Sequence, residues 1–183
     1  KGRQDIRFEA LTSNIKSGTL LDYGCGFGDL SKFLEKNKIS IDYTGCDVVP
    51  EFIETAKNEN QGSFFLMDTI SDKIDNTYDY IICSGVFNFM YSKEIKEHEK
   101  VVFERIKTLF NSCDKILSID FQSPYVDFIQ QDSFHQDICS LTSFISKNIT
   151  RKFLVDHSYL PYEFCIHIYK NDRILRPENT FEN

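Results

Sequence analysis

The chain has 183 residues, 41% of them hydrophobic and 14% aromatic, and a net charge of −7 from 21 basic and 28 acidic side chains. That is enough apolar material for one packed domain and too much for a disordered chain, and no run reaches the roughly 18 apolar residues of a membrane helix. The negative balance disfavours phosphate backbones, so neither a nucleic-acid nor a membrane partner is expected.

Six cysteines, at positions 25, 46, 83, 113, 139 and 165, form no Cys-x-x-Cys pair and no Cys/His cluster with zinc spacing, so no metal is expected. Several fall in apolar strand patterns, as reduced, packed thiols of a cytoplasmic protein do. The basic start has no apolar signal-peptide core. Residues 1–183 read as a single domain. It begins at Lys1 rather than methionine, so an upstream segment is expected. Oligomeric state is not written in the sequence.

Residues 4–16 carry Ile6, Phe8, Leu11 and Ile15 on one helical face, and Gly18 ends that helix. Residues 19–23 read as a first strand. The run Leu20-Leu21-Asp22-Tyr23-Gly24-Cys25-Gly26-Phe27-Gly28-Asp29-Leu30 then passes through three alternating glycines into a helix carried by Leu30, Phe33 and Leu34. Glycine tolerates positive φ and leaves the backbone bare to a ligand. A strand, turn and helix of this kind binds its ligand beyond the carboxyl end of the strand. A dinucleotide fingerprint needs glycine at the first, third and sixth positions; here the sixth is Asp29, whose carboxylate would repel a pyrophosphate. No Gly-Lys-Ser/Thr phosphate loop is present either. The spacing therefore points to a nucleoside without phosphates.

Residues 41–47 form a second strand ending at Asp47, and Pro50 suits the first turn of a helix that turns Phe52, Ile53 and Ala56 inward. Residues 63–67 are a third strand, closed by Asp68. A polar, turn-rich stretch follows over 69–77. Residues 78–83 are a buried fourth strand running into Ser84-Gly85. The longest helix spans 92–111, with Ile95, Val102, Ile106, Leu109 and Phe110 as its apolar stripe, and 115–121 is a fifth strand. Residues 124–136 read as irregular; Ile138, Leu141, Phe144 and Ile145 mark another helix. The last two strands, 149–155 and 164–170, are joined by 156–163, too short for a helical crossover, so they should be antiparallel. His167 is expected to alternate outward. The alternation of strands and helices makes the chain α/β with a mostly parallel sheet.

Asp22, Gly24, Gly26 and Gly28 match, position by position, the Asp/Glu-x-Gly-x-Gly-x-Gly motif of the class I S-adenosylmethionine-dependent methyltransferases, and the chain resembles that family. The resemblance implies a Rossmann-like three-layer α/β/α sandwich whose seven-stranded sheet ends in an antiparallel hairpin. It implies S-adenosylmethionine as cofactor, with Gly24, Cys25 and Gly26 against the homocysteine part. Asp47 would take the ribose diol and Val48 an adenine face. Asp68 and Thr69 would meet adenine, with Phe52 packed nearby. Ser84 and Gly85 would border the methyl region, and Asp22 would orient the glycine turn or face the cationic end of the methionine moiety. An Asp at a strand end also caps helices, so the order of these residues along the chain matters more than any one of them.

On the acceptor side, Ser84-Gly85-Val86-Phe87-Asn88-Phe89-Met90 departs from the Asn/Asp-Pro-Pro-Tyr/Phe of nucleic-acid amino methyltransferases. Asn88 is the candidate substrate contact there. Residues 156–164 are dense in functional groups, with Tyr159 and Tyr162 as further substrate contacts and His157 as candidate general base; His135 is a second candidate base. This region and residues 121–128 resemble small methyltransferases of surface-polysaccharide and secondary-metabolite genes. The expected reaction moves a methyl group to an oxygen or nitrogen of a small polar metabolite, by positioning and removal of one proton. Two rivals stay open: a nucleoside-binding protein without turnover, and a nicotinamide-dependent oxidoreductase, which Asp29 disfavours.

Overall fold

The computed structural model describes residues 2–68, 71–90, 92–129 and 133–170. Its strands are β1 (Thr19–Tyr23), β2 (Asp42–Asp47), β3 (Ser63–Leu66), β4 (Tyr78–Cys83), β5 (Cys113–Gln122), β6 (Phe153–Leu160) and β7 (Glu163–Tyr169). Its helices are α1 (Arg3–Thr12), α2 (Asp29–Lys36), α3 (Pro50–Glu59), α4 (Ile95–Asn111) and α5 (Ile138–Asn148), with a 3-10 turn at Val86–Asn88. The strands make one seven-stranded sheet in the order β3-β2-β1-β4-β5-β7-β6. β1 to β5 pair in parallel, whereas β7 is antiparallel to both β5 and β6. This is the sandwich implied by the resemblance.

Strand side chains alternate between faces, and each face has its own helical layer. Leu21 and Tyr23 of β1 and Ile81 and Cys83 of β4 pack with Val102, Ile106 and Leu109 of α4 and Leu141 and Ile145 of α5. Leu20 and the β4 pair Tyr80 and Ile82 pack instead with Phe8 and Leu11 of α1, Leu30 and Leu34 of α2, and Ile53 and Ala56 of α3. The chain goes from β1 outward to β2 and β3, then returns to place β4 on the other side of β1. That reversal opens a crevice at the carboxyl ends of β1 and β4, where ligands of open α/β sheets bind.

The structure departs from the sequence expectations near the carboxyl end. The link expected over 156–163 is only the turn at Pro161 and Tyr162, and His157, Ser158 and Tyr159 belong to β6. Pro161 sets the φ of a tight turn, and Leu160 pairs with Glu163 across it. A register shift between Asp156 and Leu160 absorbs the polar run. His167 faces inward and is buried, because β7 lies between β5 and β6 with both faces covered. Ile149 closes α5 instead of opening a strand.

Candidate active site

The glycine run forms an elbow between β1 and α2. Gly24, Gly26 and Gly28 all take positive φ, at 78°, 55° and 79°, which only glycine adopts without strain. The amides of Gly24 and Cys25 both donate to the Cys46 carbonyl, at 2.8 and 2.9 Å, tying the elbow to the end of β2. Asp47 completes the brace: its Oδ2 accepts from the Gly26 amide at 2.9 Å and its Oδ1 from the Val49 amide at 3.0 Å. A Cβ on Gly24 would overlap Val86, whereas one on Gly26 would meet no atom within 4 Å. The Gly26 peptide is therefore bare toward open space.

Two hollows adjoin there. The larger, about 450 Å³, is lined by Gly24, Gly26, Asp47, Val48, Val49, Phe52, Ser84, Gly85, Val86 and Phe89. The smaller, about 200 Å³, shares Gly24, Gly26 and Ser84 and adds Asp22, Cys25, Phe27, Asp29 and, from α1, Gln4, Arg7 and Phe8. Phe27 and Phe52 meet with ring centroids 4.4 Å apart. Asp22 is buried and accepts from the Tyr43 hydroxyl at 2.6 Å. Burial pushes its carboxyl up to about 7, with the Asp47 and Asp29 carboxylates adding to the rise and the Tyr43 bond opposing it.

Of the cofactor residues read from sequence, Asp22, Gly24, Cys25, Gly26, Asp47, Val48, Phe52, Ser84 and Gly85 all line one or both hollows. Asp68 does not: it is exposed, and its carboxylate accepts from the Ser71 amide and hydroxyl. Thr69 lies outside the described residues. Sequence reasoning missed Gln4, Arg7 and Phe8, which reach the site only because α1 packs over the end of the sheet. Phe89, one of the two phenylalanines flanking Asn88 in the sequence, also lines the larger hollow.

A third cavity, about 200 Å³, lies at the carboxyl end of β5 and the amino end of β7 and is lined by Arg3, Gln122, Val126, Asp127, Phe128, His135 and Tyr162. The Tyr162 hydroxyl donates to Asp127 Oδ2 at 2.9 Å. Behind the wall sits an ionic cluster. Arg7 forks onto Glu163 at 2.7 and 2.8 Å, Arg3 pairs with the same carboxylate, and Arg7 Nε is 3.4 Å from Asp120 Oδ2. Asp120 Oδ1 accepts from the Gly85 amide at 2.6 Å. Burial pushes the Asp120 carboxyl up to about 6, against the pull of Arg7 and of that amide. Burial likewise raises the Tyr159 phenol, whose neighbours include Asp120 and Glu163.

Three acceptor-side candidates are placed differently from one another. Tyr162 lines the third cavity. Asn88 is buried, and its Oδ1 accepts from the Gln122 amide at 2.9 Å, joining the turn after β4 to β5. His157 lies behind the cavity wall: its Nε2 is 2.7 Å from the hydroxyl of fully buried Ser123, and its ring stacks on Phe164.

A family model described as a methyltransferase domain matches residues 21–120, from the first strand to the end of the fifth. The chain belongs to this family. It is a class I S-adenosylmethionine-dependent methyltransferase. A Mycobacterium tuberculosis protein named as a methyltransferase is 27% identical over 151 residues, 81% of this chain and 91% of that one. The ribosomal RNA small subunit methyltransferase C of Vibrio vulnificus is 26% identical over 164 residues, 86% of this chain but 46% of that one. Among solved structures the DhpI–SAM–HEP complex superposes with a TM-score of 0.69 at 13% identity, covering 90% of this methyltransferase and 84% of that chain.

The residues present fit such a cofactor. The bare Gly26 peptide admits a ligand against the backbone, and Val48 and Phe52 offer apolar surface for a flat base. Asp47 keeps lone pairs beyond the two it gives to the backbone, enough to accept from a sugar diol. Asp22, Asp29 and Asp47 surround the elbow with acidic groups, which suits a cationic, unphosphorylated ligand and opposes a pyrophosphate.

Proposed function

We propose that this methyltransferase modifies an oxygen or nitrogen of a small polar metabolite bound in the third cavity. The cavity itself supports this reading. At about 200 Å³ it has room for a metabolite-sized group, and its wall mixes a cation, a carboxylate, an imidazole and a phenol with the apolar Val126 and Phe128. The net charge of −7 works against a nucleic-acid acceptor, and the turn after β4 reads Ser84-Gly85-Val86-Phe87 where amino methyltransferases of nucleic acids carry a proline pair.

In this reading Gly24, Gly26, Asp47, Val48 and Phe52 hold the adenosine part, and Asp22, Cys25 and Ser84 border the methionine part. The bound cofactor supplies an activated methyl group on a sulfonium. The protein's own task is then alignment, dehydration and removal of a proton. α1 serves the first two, since Gln4 and Arg7 wall the methionine side while Arg3 walls the third cavity. Glu163 anchors the helix by holding both arginines.

Calorimetric titration with S-adenosylmethionine, S-adenosylhomocysteine and NAD tests the cofactor side, with binding of the first two and none of NAD expected. Fractionated metabolite extracts, ribosomal RNA and ribosomal protein are then compared for release of S-adenosylhomocysteine. Turnover confined to the RNA or protein arms would overturn the small-acceptor reading.

A further inference from the structure

Residues 133–136 form a narrow strip gripped from both sides. The Phe134 amide donates to the Asn88 carbonyl at 2.9 Å, and the Gln136 amide to the Gln122 carbonyl at 3.1 Å. Bridge pairings join Ser133 to Phe89 and His135 to Gln122. Phe89 lines the larger hollow and His135 the third cavity, so the strip runs from one to the other. α1 makes the same connection, with Arg3 on the third cavity and Gln4 and Arg7 on the methionine side.

The hydrogen bonding of His135 sets its tautomer. Its Nδ1 lies 2.7 Å from the Ser123 carbonyl oxygen. A carbonyl can only accept, so Nδ1 carries the hydrogen and Nε2 of the neutral ring is a bare lone pair. That nitrogen is buried and has no hydrogen-bond partner among the described residues. The other histidines near the end of the sheet differ. His157 Nε2 is engaged by Ser123 Oγ, and His167 has Ser118 Oγ at 2.8 Å from Nδ1 and Cys165 Sγ at 3.5 Å from Nε2.

We propose that His135 is the general base of methyl transfer, its Nε2 receiving the proton of the acceptor's hydroxyl or amine. The assignment rests on the third cavity being the acceptor site. As the acceptor's O–H or N–H bond breaks, its electron pair stays on the heteroatom, which bonds the methyl carbon. The former C–S pair remains on sulfur as a neutral thioether. The positive charge passes from sulfonium to imidazolium, whose Nδ1–H stays on the Ser123 carbonyl until water takes the new proton. A base oriented by a carbonyl on its far nitrogen is the usual geometry for imidazole proton transfer.

The test uses the full chain with ring-15N histidine, saturated with S-adenosylhomocysteine. Long-range proton–nitrogen spectra at pH 8, assigned by comparison with His135→Asn, should show His135 as the Nδ1–H tautomer; an Nε2–H pattern overturns the proposal. His135→Asn keeps an N–H donor for Ser123 but has no basic nitrogen. It should bind S-adenosylhomocysteine within about twofold of wild type yet lose about 10²–10⁴ of the rate with the extract fraction that supports turnover. A variant retaining its rate removes the base assignment while leaving the acceptor reading intact. A wild-type chain that turns over no fraction sinks the acceptor reading, and the proposal with it, whatever the tautomer.

Discussion

Replacing Asp47 with alanine separates two roles that the structure assigns to one carboxylate. The side chain is 7% exposed and accepts from the Gly26 and Val49 amides. Hydrogen bonds to a charged acceptor contribute about 1.5–3 kcal/mol each. Both amides belong to half-buried residues, so water can reach them in the variant, and the stability cost should stay near the low end, about 3 kcal/mol in all. If the free lone pairs also hold the ribose diol, cofactor affinity falls by a further 1.5–3 kcal/mol, or about 10- to 150-fold. Calorimetry with S-adenosylhomocysteine reads the affinity, and urea denaturation without ligand reads the stability. A variant that loses stability but binds within twofold of wild type would show that Asp47 braces the elbow and does not touch the sugar.

Gly26→Ala should cost about 1–2 kcal/mol of stability from its left-handed φ, with no clash inside the protein, yet lower cofactor affinity more than tenfold because the new methyl occupies the crevice. Gly24→Ala should lower the melting temperature further, since its Cβ overlaps Val86; equal melting temperatures would contradict this. Asp22, raised to about 7 by burial, binds its proton more tightly folded than unfolded. Its contribution to stability is therefore fully present below pH 4 and is lost as pH rises through 7. Asp22→Asn, which still accepts from Tyr43, should gain melting temperature relative to wild type at pH 8 compared with pH 4, and a difference independent of pH would refute the burial argument. Glu163→Ala should destabilise by about 3 kcal/mol in urea, the low end for a broken buried pair, because Arg7 remains partly exposed and keeps Asp120 nearby.

The glycine elbow, the first two carboxylates and the parallel run of strands were legible in the sequence because each depends on neighbours within about 30 residues. Alternating glycines specify their own backbone, and Asp47 follows directly from where β2 ends. Asp68 shows the limit of that reasoning: it follows shortly after β3, as read, but lines neither hollow and accepts instead from Ser71 three residues on. The longest-range features were not legible. Arg7 meets Glu163 across 156 residues, and no local pattern marks either as the other's partner. His157 stood out by the density of polar groups around it, although that density is spent on Ser123 and on aromatic packing. His135, in a stretch without periodicity, reaches the third cavity because backbone bonds to Asn88 and Gln122 carry it there.

Local chemistry along the chain thus determined the fold class, the elbow and the kind of ligand it tolerates, since turn conformation and strand alternation are short-range properties. Which imidazole keeps a free lone pair, which helix closes the methionine side and which histidine is buried in β7 were decided only in three dimensions. Each depends on a partner supplied by a distant strand or helix, and a hydrogen bond exists only once folding has brought donor and acceptor together.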